Sequence, residues 1–248
     1  MTARLLLFDI DGTLLLTGGA GKRAMERAFL ELFGVEDAFA GVSMAGRTDR
    51  WLAEQALTRH GIGVSDDRLE AFRGAYVAHL DASIHEPGTG WRGLMPGVEA
   101  LLDRLDGREA WHLALLTGNY QAGARIKLAH FGIWHRFSWG AFGDGHAERG
   151  ALACAAVEAA PSRGISLADV RHAVVIGDTP FDVACARAAG ASVVAVATGG
   201  HSRDELAACG PDLLLNDLTD VDALESFLAR ACRRSASTPP APRLAEAK

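Results

Sequence analysis

Leu5-Leu6-Leu7-Phe8-Asp9-Ile10-Asp11-Gly12-Thr13 is the stretch on which the fold turns. Four apolar residues in a row, without alternation, suit a strand buried on both faces, as in a parallel sheet. The run ends in two acids and an Asp-Gly turn. Similar runs recur at residues 112–116 (HLALL), 173–176 (AVVI), 192–197 (SVVAVA) and 212–215 (DLLL). Amphipathic stretches lie between them, at 98–105, 121–131, 150–160, 181–189 and 203–208. Strands alternating with helices predict right-handed βαβ units. The expected fold is therefore α/β, with a Rossmann-like parallel sheet core and helices on both faces.

Residues 17–87 break this rhythm. They hold three helical patterns, at 21–33, 49–60 and 66–82, and no convincing strand. Gly18, Gly19 and Gly21 flank the block on one side; Pro87, Gly88 and Gly90 flank it on the other. Such clusters mark loops and hinges. The block reads as an inserted all-helical cap, with residues 1–16 and 88–232 forming the core. The plainer alternative is that these helices pack on the sheet as part of one domain. Residues 233–248 are rich in Ser, Pro and Ala and read as a disordered tail.

Composition narrows the function. The 248 residues are 49% hydrophobic and 23% charged, enough to bury a sizeable core. The net charge of −6 argues against a nucleic-acid partner, which needs a basic face. Four cysteines without a CxxC argue against a zinc site or a disulfide scaffold and fit a reducing cytoplasm. No apolar run is long enough to cross a membrane, and the first residues do not form a signal peptide.

In an open parallel sheet, ligands bind beyond the carboxyl ends of the strands, where Asp9 and Asp11 stand. Two residues apart on a strand, they point to the same side. Their repulsion is relieved by a cation, and oxygen ligands of this kind suit Mg²⁺. Gly12 permits a sharp turn and lets backbone N–H groups approach an anion. The same residues also suit a solvated Asp-Gly turn. At the next strand end, Thr117-Gly118-Asn119 offers donors for phosphate oxygens, and equally a helix N-cap. After AVVI, Gly177-Asp178-Thr179-Pro180-Phe181-Asp182 places one acid at a strand end and another a helical turn later. Asp178 suits a direct cation ligand; Asp182 suits ligation through water or the orientation of its neighbours. First-turn acids also cap helices, but four acids at two strand ends need something to offset their charge. A positive side chain would help, and Arg149 lies before the helix that leads into AVVI. Of the three lysines, Lys22, Lys127 and Lys248, none lies there.

Asp9-x-Asp11-Gly12-Thr13, Thr117-Gly118-Asn119 and Gly177-Asp178-x-x-x-Asp182, in this order, resemble the haloacid dehalogenase superfamily of hydrolases. The resemblance is closest to its phosphoglycolate phosphatase-like branch and spans about residues 4–217. It implies a phosphoric monoester hydrolase acting on a small phosphorylated metabolite. Asp9 would attack phosphorus to form an aspartyl-phosphate. Asp11 would protonate the leaving alcohol and then activate water. Thr117 and Arg149 would complete the catalytic set, with Gly12, Thr13, Gly118 and Asn119 around the phosphate. Mg²⁺ would be held by Asp9, Asp11 through its carbonyl, Asp178 and, directly or through water, Asp182. The family more often has a lysine where Arg149 stands. Arg47, in Gly46-Arg47-Thr48-Asp49 between the first two cap helices, would reach a substrate anion when the cap closes, while Thr48 or Asp49 caps the following helix. The tryptophans read as packing residues. Rival readings on this scaffold are a phosphomutase, a phosphonate hydrolase using Lys22, and a silent phosphate-binding protein.

Overall fold

A computed structural model of the chain describes residues 4–106, 111–145, 147–166, 170 and 172–235. Six parallel strands form the main sheet: β1 (Arg4–Phe8), β4 (Trp111–Leu116), β5 (Trp139–Ala141), β6 (Val174–Gly177), β7 (Ser192–Val196) and β8 (Leu213–Leu215). Their order is β5-β4-β1-β6-β7-β8. The chain runs outward from β1 in both directions, so the crevice of an open α/β sheet falls at the end of β1. Phe8 pairs with Leu115 on one side and with Ile176 on the other. That register brings Asp9, Thr117 and Asp178 together from three distant parts of the chain.

The lack of alternation in LLLF has a direct cause. Leu6 and Phe8 face one core cluster, and Leu5 and Leu7 face the other. The first cluster is covered by α4 (Val98–Leu105), α5 (Gln121–His130) and α9 (Val221–Ser235). The second is covered by α6 (Arg149–Ala159) and α7 (Pro180–Ala188). A short helix, α8 (Arg203–Ala208), lies between β7 and β8.

Three further helices, α1 (Ala20–Phe33), α2 (Asp49–Arg59) and α3 (Asp66–Ser83), enclose a third core. It is built from Phe29, Phe39, Leu57, Phe72, Tyr76 and Leu80. Phe29 meets Phe39 and Phe72 edge-on, with ring centroids 5.5 and 5.7 Å away. A face rich in aromatic rings lets three short helices hold together apart from the sheet. Thr48 Oγ1 accepts from Trp51 N at 3.1 Å, so Thr48 rather than Asp49 is the N-cap of α2.

Several elements differ from the sequence reading. A two-stranded antiparallel ribbon joins the helical block to the sheet, pairing β2 (Leu15–Thr17) with β3 (Arg92–Leu94). Thr17 is therefore in a strand, although the block was read as strand-free. Three-residue strands carry too little pattern to be seen, and β5 escaped notice for the same reason. Helix α9 was not expected, although Val221, Leu224 and Leu228 have helical spacing. It runs through residues 233–235, read above as disordered tail; residues 236–248 lie outside the described residues. The ends of the remaining strands and helices move by only a residue or so. Among the described residues, no helix is long and apolar enough to cross a membrane.

The fully buried Leu228 tests the contribution of α9 to the core. Leu228→Ala should cost about 2–4 kcal/mol. A urea or thermal melt should show a clearly lowered midpoint, and an unchanged midpoint would detach α9 from the core.

Candidate active site

Asp9 leaves β1 with its N–H donating to Ile176 O at 3.0 Å, which extends the ladder by one residue. Its carboxylate is buried and meets the Arg149 guanidinium at 2.8 Å. Arg149, the first residue of α6, also pairs closely with Asp182. Asp182 is held in turn by a reciprocal cap on α7. Thr179 N and Oγ1 donate to Asp182 Oδ2 at 3.0 and 2.7 Å, while Asp182 N donates to Thr179 Oγ1 at 3.3 Å. Asp178 is buried, and its Oδ1 accepts from Thr13 Oγ1 at 2.9 Å. Thr13 thus orients an acid. Asp9, Asp178 and Asp182 each offer an oxygen, all within 4.8 Å of one another.

Glycines make this packing possible. Gly12 has φ +87°, and a Cβ there would come within 2.4 Å of Asp178 Oδ2. At Gly199 a Cβ would fall 1.7 Å from the same oxygen. Any larger residue at either position displaces Asp178.

Electrostatics shows that the cluster is short of positive charge. Two carboxylate charges within 4.8 Å of each other repel by at least about 3 kcal/mol at an effective dielectric near 20. Burial pushes the Asp9 pKa up to about 6, with Asp182 and Asp11 adding to the shift and Arg149 opposing it. Burial, then Asp182 and Asp9, also raise Asp178 well above the carboxylate range. Arg149 itself is shifted upward, because Asp182 and Asp9 more than offset the cost of burying it. Three acids against one guanidinium leave a net charge that a divalent cation with oxygen preferences would neutralise. Asp9, Asp178 and Asp182 are the side chains that fit such an ion. The carboxylate of Asp11 lies outside this cluster.

Asp11 belongs to a second group. Its oxygens accept from Lys127 Nζ at 2.8 and 2.6 Å, and Oδ2 also accepts from Asn119 Nδ2 at 2.8 Å. Lys127 further donates to Asn119 Oδ1 at 2.6 Å, and Asn119 Nδ2 reaches Thr117 Oγ1 at 2.7 Å. Thr117 and Asn119 are therefore tied to Asp11. Gly118 lies where the helical block meets the core: its carbonyl accepts from Asp49 N at 2.8 Å, and a Cβ would fall 2.2 Å from Arg47 O.

A cavity of about 480 Å³ opens over these residues. Asp9, Asp11, Asn119, Lys127, Arg149 and Asp178 line its floor; Met25, Met44, Arg47, Leu52, Tyr76 and Trp91 line its walls. The larger hollow, about 950 Å³ between α3 and α5, contains none of the motif residues. Arg47 lines the smaller cavity, but its guanidinium lies 4.3 Å from the Trp51 ring and 4.2 Å from the Phe181 ring. Trp51 therefore clamps a cation as well as packing. Trp91, 55% exposed and lining the cavity, is likewise not simply a packing residue.

Lys127, Asp49 and Tyr76 were not singled out as site residues by sequence. Lys127 carried a usable signal: with Ala124 and Leu128 it falls on the buried face of α5, an unusual place for an unpaired lysine. Asp49 reads only as a possible cap, and nothing in the sequence sets Tyr76 apart from a core aromatic.

A parallel sheet with β1 inside it and acids at the ends of β1 and β6 defines an open α/β scaffold of the Rossmann-like type. The chain belongs to the haloacid dehalogenase-like hydrolase family, which it matches over residues 6–187. It is 29% identical over 242 residues to a phosphoglycolate phosphatase of Rhodospirillum rubrum, covering 94% of this chain and 95% of the other. Among solved structures, a predicted phosphoglycolate phosphatase from Haemophilus somnus 129pt superposes with a TM-score of 0.68 at 19% identity, covering 91% of this chain and 99% of the other. A putative beta-phosphoglucomutase from Bacteroides vulgatus gives 0.64 at 20% identity, covering 94% and 91%. At these identities the structures establish a shared fold.

Raised acid pKa values make the metal-free protein less stable as pH rises from about 4 through 6, because the folded state holds protons that the unfolded chain has lost. A divalent cation on the deprotonated acids would oppose this. The rise in melting temperature on adding Mg²⁺ should therefore be small at pH 5 and large at pH 7.5. Asp178→Asn should melt higher than wild type without metal at pH 7.5 and gain nothing from Mg²⁺. A Mg²⁺ effect independent of pH, or one retained in Asp178→Asn, would contradict this assignment.

Proposed function

We propose that the protein is a Mg²⁺-dependent phosphatase that hydrolyses a small phosphomonoester through an aspartyl-phosphate on Asp9. The observation that carries this reading is the pairing of two carboxylates in two environments on one cavity floor. Asp9 is buried, packed against Arg149 and part of the acid cluster; Asp11 is partly exposed and held by Lys127 and Asn119. One suits a nucleophile and the other a proton carrier.

In the first step an Asp9 oxygen attacks phosphorus, the bond to the ester oxygen breaks, and Asp11 supplies the proton that the leaving alkoxide takes. In the second, Asp11 accepts a proton from water, and that water's oxygen attacks phosphorus and displaces Asp9 as a carboxylate. Arg149 beside Asp9 offsets negative charge that the phosphoryl oxygens bring. Asp11 enters the first step as the carboxylic acid and regains that proton from water in the second, while Asn119 and Lys127 hold its carboxyl group in place. A Mg²⁺ ion held by Asp9 and Asp178, with Asp182 adjacent, would neutralise phosphoryl charge and orient the group.

The helical block at residues 17–87 serves as a cap in this reading. It supplies walls to a cavity whose floor is core, and it joins the core through the β2–β3 ribbon. Closing over the floor excludes competing water. The name of the R. rubrum relative supports a small phosphorylated substrate.

With p-nitrophenyl phosphate and Mg²⁺ the wild type should turn over, and a chelator should stop it. Asp9→Asn should abolish turnover while melting as a folded protein. Asp11→Asn should lose about 10²–10⁴-fold. An unaffected Asp9→Asn rate would remove the nucleophile assignment. Transfer between sugar phosphates without net release of phosphate would favour a mutase instead.

A further inference from the structure

The wall of the cavity above Asp11 contains a polar group that nothing else among the described residues accounts for. Tyr76, on α3, is fully buried, lines the cavity, and its hydroxyl has no hydrogen-bond partner among the described residues. Its ring is packed in place, stacked on Phe72 with centroids 6.1 Å apart. A buried hydroxyl left without a partner is costly, and a ligand that supplies the partner removes that cost. Burial, reinforced by Asp49 and Asp11, keeps the phenol protonated and therefore able to donate.

Two glycines leave room beside this hydroxyl. A Cβ on Gly21, at the start of α1, would lie 3.8 Å from Tyr76 Oη and 3.6 Å from Lys127 Nζ. A Cβ on Gly123, on α5, would lie 3.5 Å from Tyr76 Oη. The hydroxyl thus looks across a small space at the ammonium that grips Asp11. Asp49 also lines this cavity; burial pushes its pKa up to about 7, with Lys127 opposing the shift, and its Oδ2 accepts from Tyr120 N at 2.8 Å.

We propose that Tyr76, Asp49 and Lys127 form a leaving-group subsite that selects phosphomonoesters carrying a hydroxyl near the ester oxygen, the polyol and sugar phosphate class, over those carrying a carboxylate. The inference rests on the phosphatase reading of the same cavity. Its logic is the balance of donors and charges. A substrate hydroxyl accepts from Tyr76 Oη and donates to the Asp49 carboxyl, so both partners are satisfied. A carboxylate only accepts, and it would enter a space already bordered by Asp11 and Asp49. The ammonium of Lys127 is committed to Asp11 and Asn119 at 2.6–2.8 Å and does not stand free to neutralise a new anion. Tyr76 is a specificity residue in this account; it touches the organic part of the substrate and not the transferred group.

Three esters of nearly equal size isolate the effect: 2-hydroxyethyl phosphate, 2-phosphoglycolate and ethyl phosphate. Their binding to Asp9→Asn protein with Mg²⁺, by calorimetry, needs no turnover. The hydroxyethyl ester should bind about tenfold more tightly than ethyl phosphate, the equivalent of about 1.4 kcal/mol. 2-Phosphoglycolate should have no advantage over ethyl phosphate. Adding Tyr76→Phe, which keeps the ring packing, should erase the hydroxyl advantage. Gly21→Ala is the second variant: its methyl makes ordinary contacts, occupies the space and should erase the same advantage in a folded protein. Tightest binding of 2-phosphoglycolate, or a hydroxyl advantage that survives both variants, would overturn the proposal. Failure of all three esters to bind to Asp9→Asn protein that still binds Mg²⁺ would overturn it differently, by removing the phosphoester reading on which it stands.

Discussion

Three buried carboxylates, Asp9, Asp178 and Asp182, share one buried guanidinium, and the rest of the structure is arranged around that imbalance. Left in a dry interior, such a group would neutralise itself by taking up protons or would drive the strand ends apart. Here the fold refuses the second, and the first shows in the raised pKa values of Asp9 and Asp178. Asp9 is locked to Ile176 by the ladder, Asp178 to Thr13, and Asp182 to the first turn of its own helix. Glycines at 12 and 199 bring the neighbouring chain so close that Asp178 has nowhere to turn. A divalent cation at this point would offset the excess negative charge.

A second layer of order sits on the first. Asp11, two residues beyond Asp9, is kept out of the acid cluster by Lys127 and Asn119. Neighbours in sequence thus acquire different partners. The helical block then adds walls, and its backbone meets the core at Gly118 and its side chains at Phe181. The cavity is lined by residues of both the helical block and the sheet's strand ends.

Much of this was legible in the chain, for identifiable reasons. Apolar runs that stop at acids or at Thr-Gly-Asn mark strand ends, and a parallel sheet brings strand ends together. Asp9, Asp178, Asp182 and Arg149 were therefore placed near one another without coordinates. What escaped had no local signature. The β2–β3 ribbon is three residues a side, and its pairing spans the whole helical block. Lys127 matters because its helix turns it toward Asp11, 116 positions away in sequence. Tyr76 sits in a helical stripe where any large apolar residue would look the same; its hydroxyl becomes meaningful only once its lack of a partner is seen.

The most direct test is a crystal structure with Mg²⁺ and beryllium trifluoride, a mimic of a phosphoryl group bound to a carboxylate. The account predicts beryllium bonded to an Asp9 oxygen, with one metal ion ligated by Asp9 and Asp178. Beryllium on another side chain, or side chains of residues 9 and 178 turned apart with no ion between them, would contradict it.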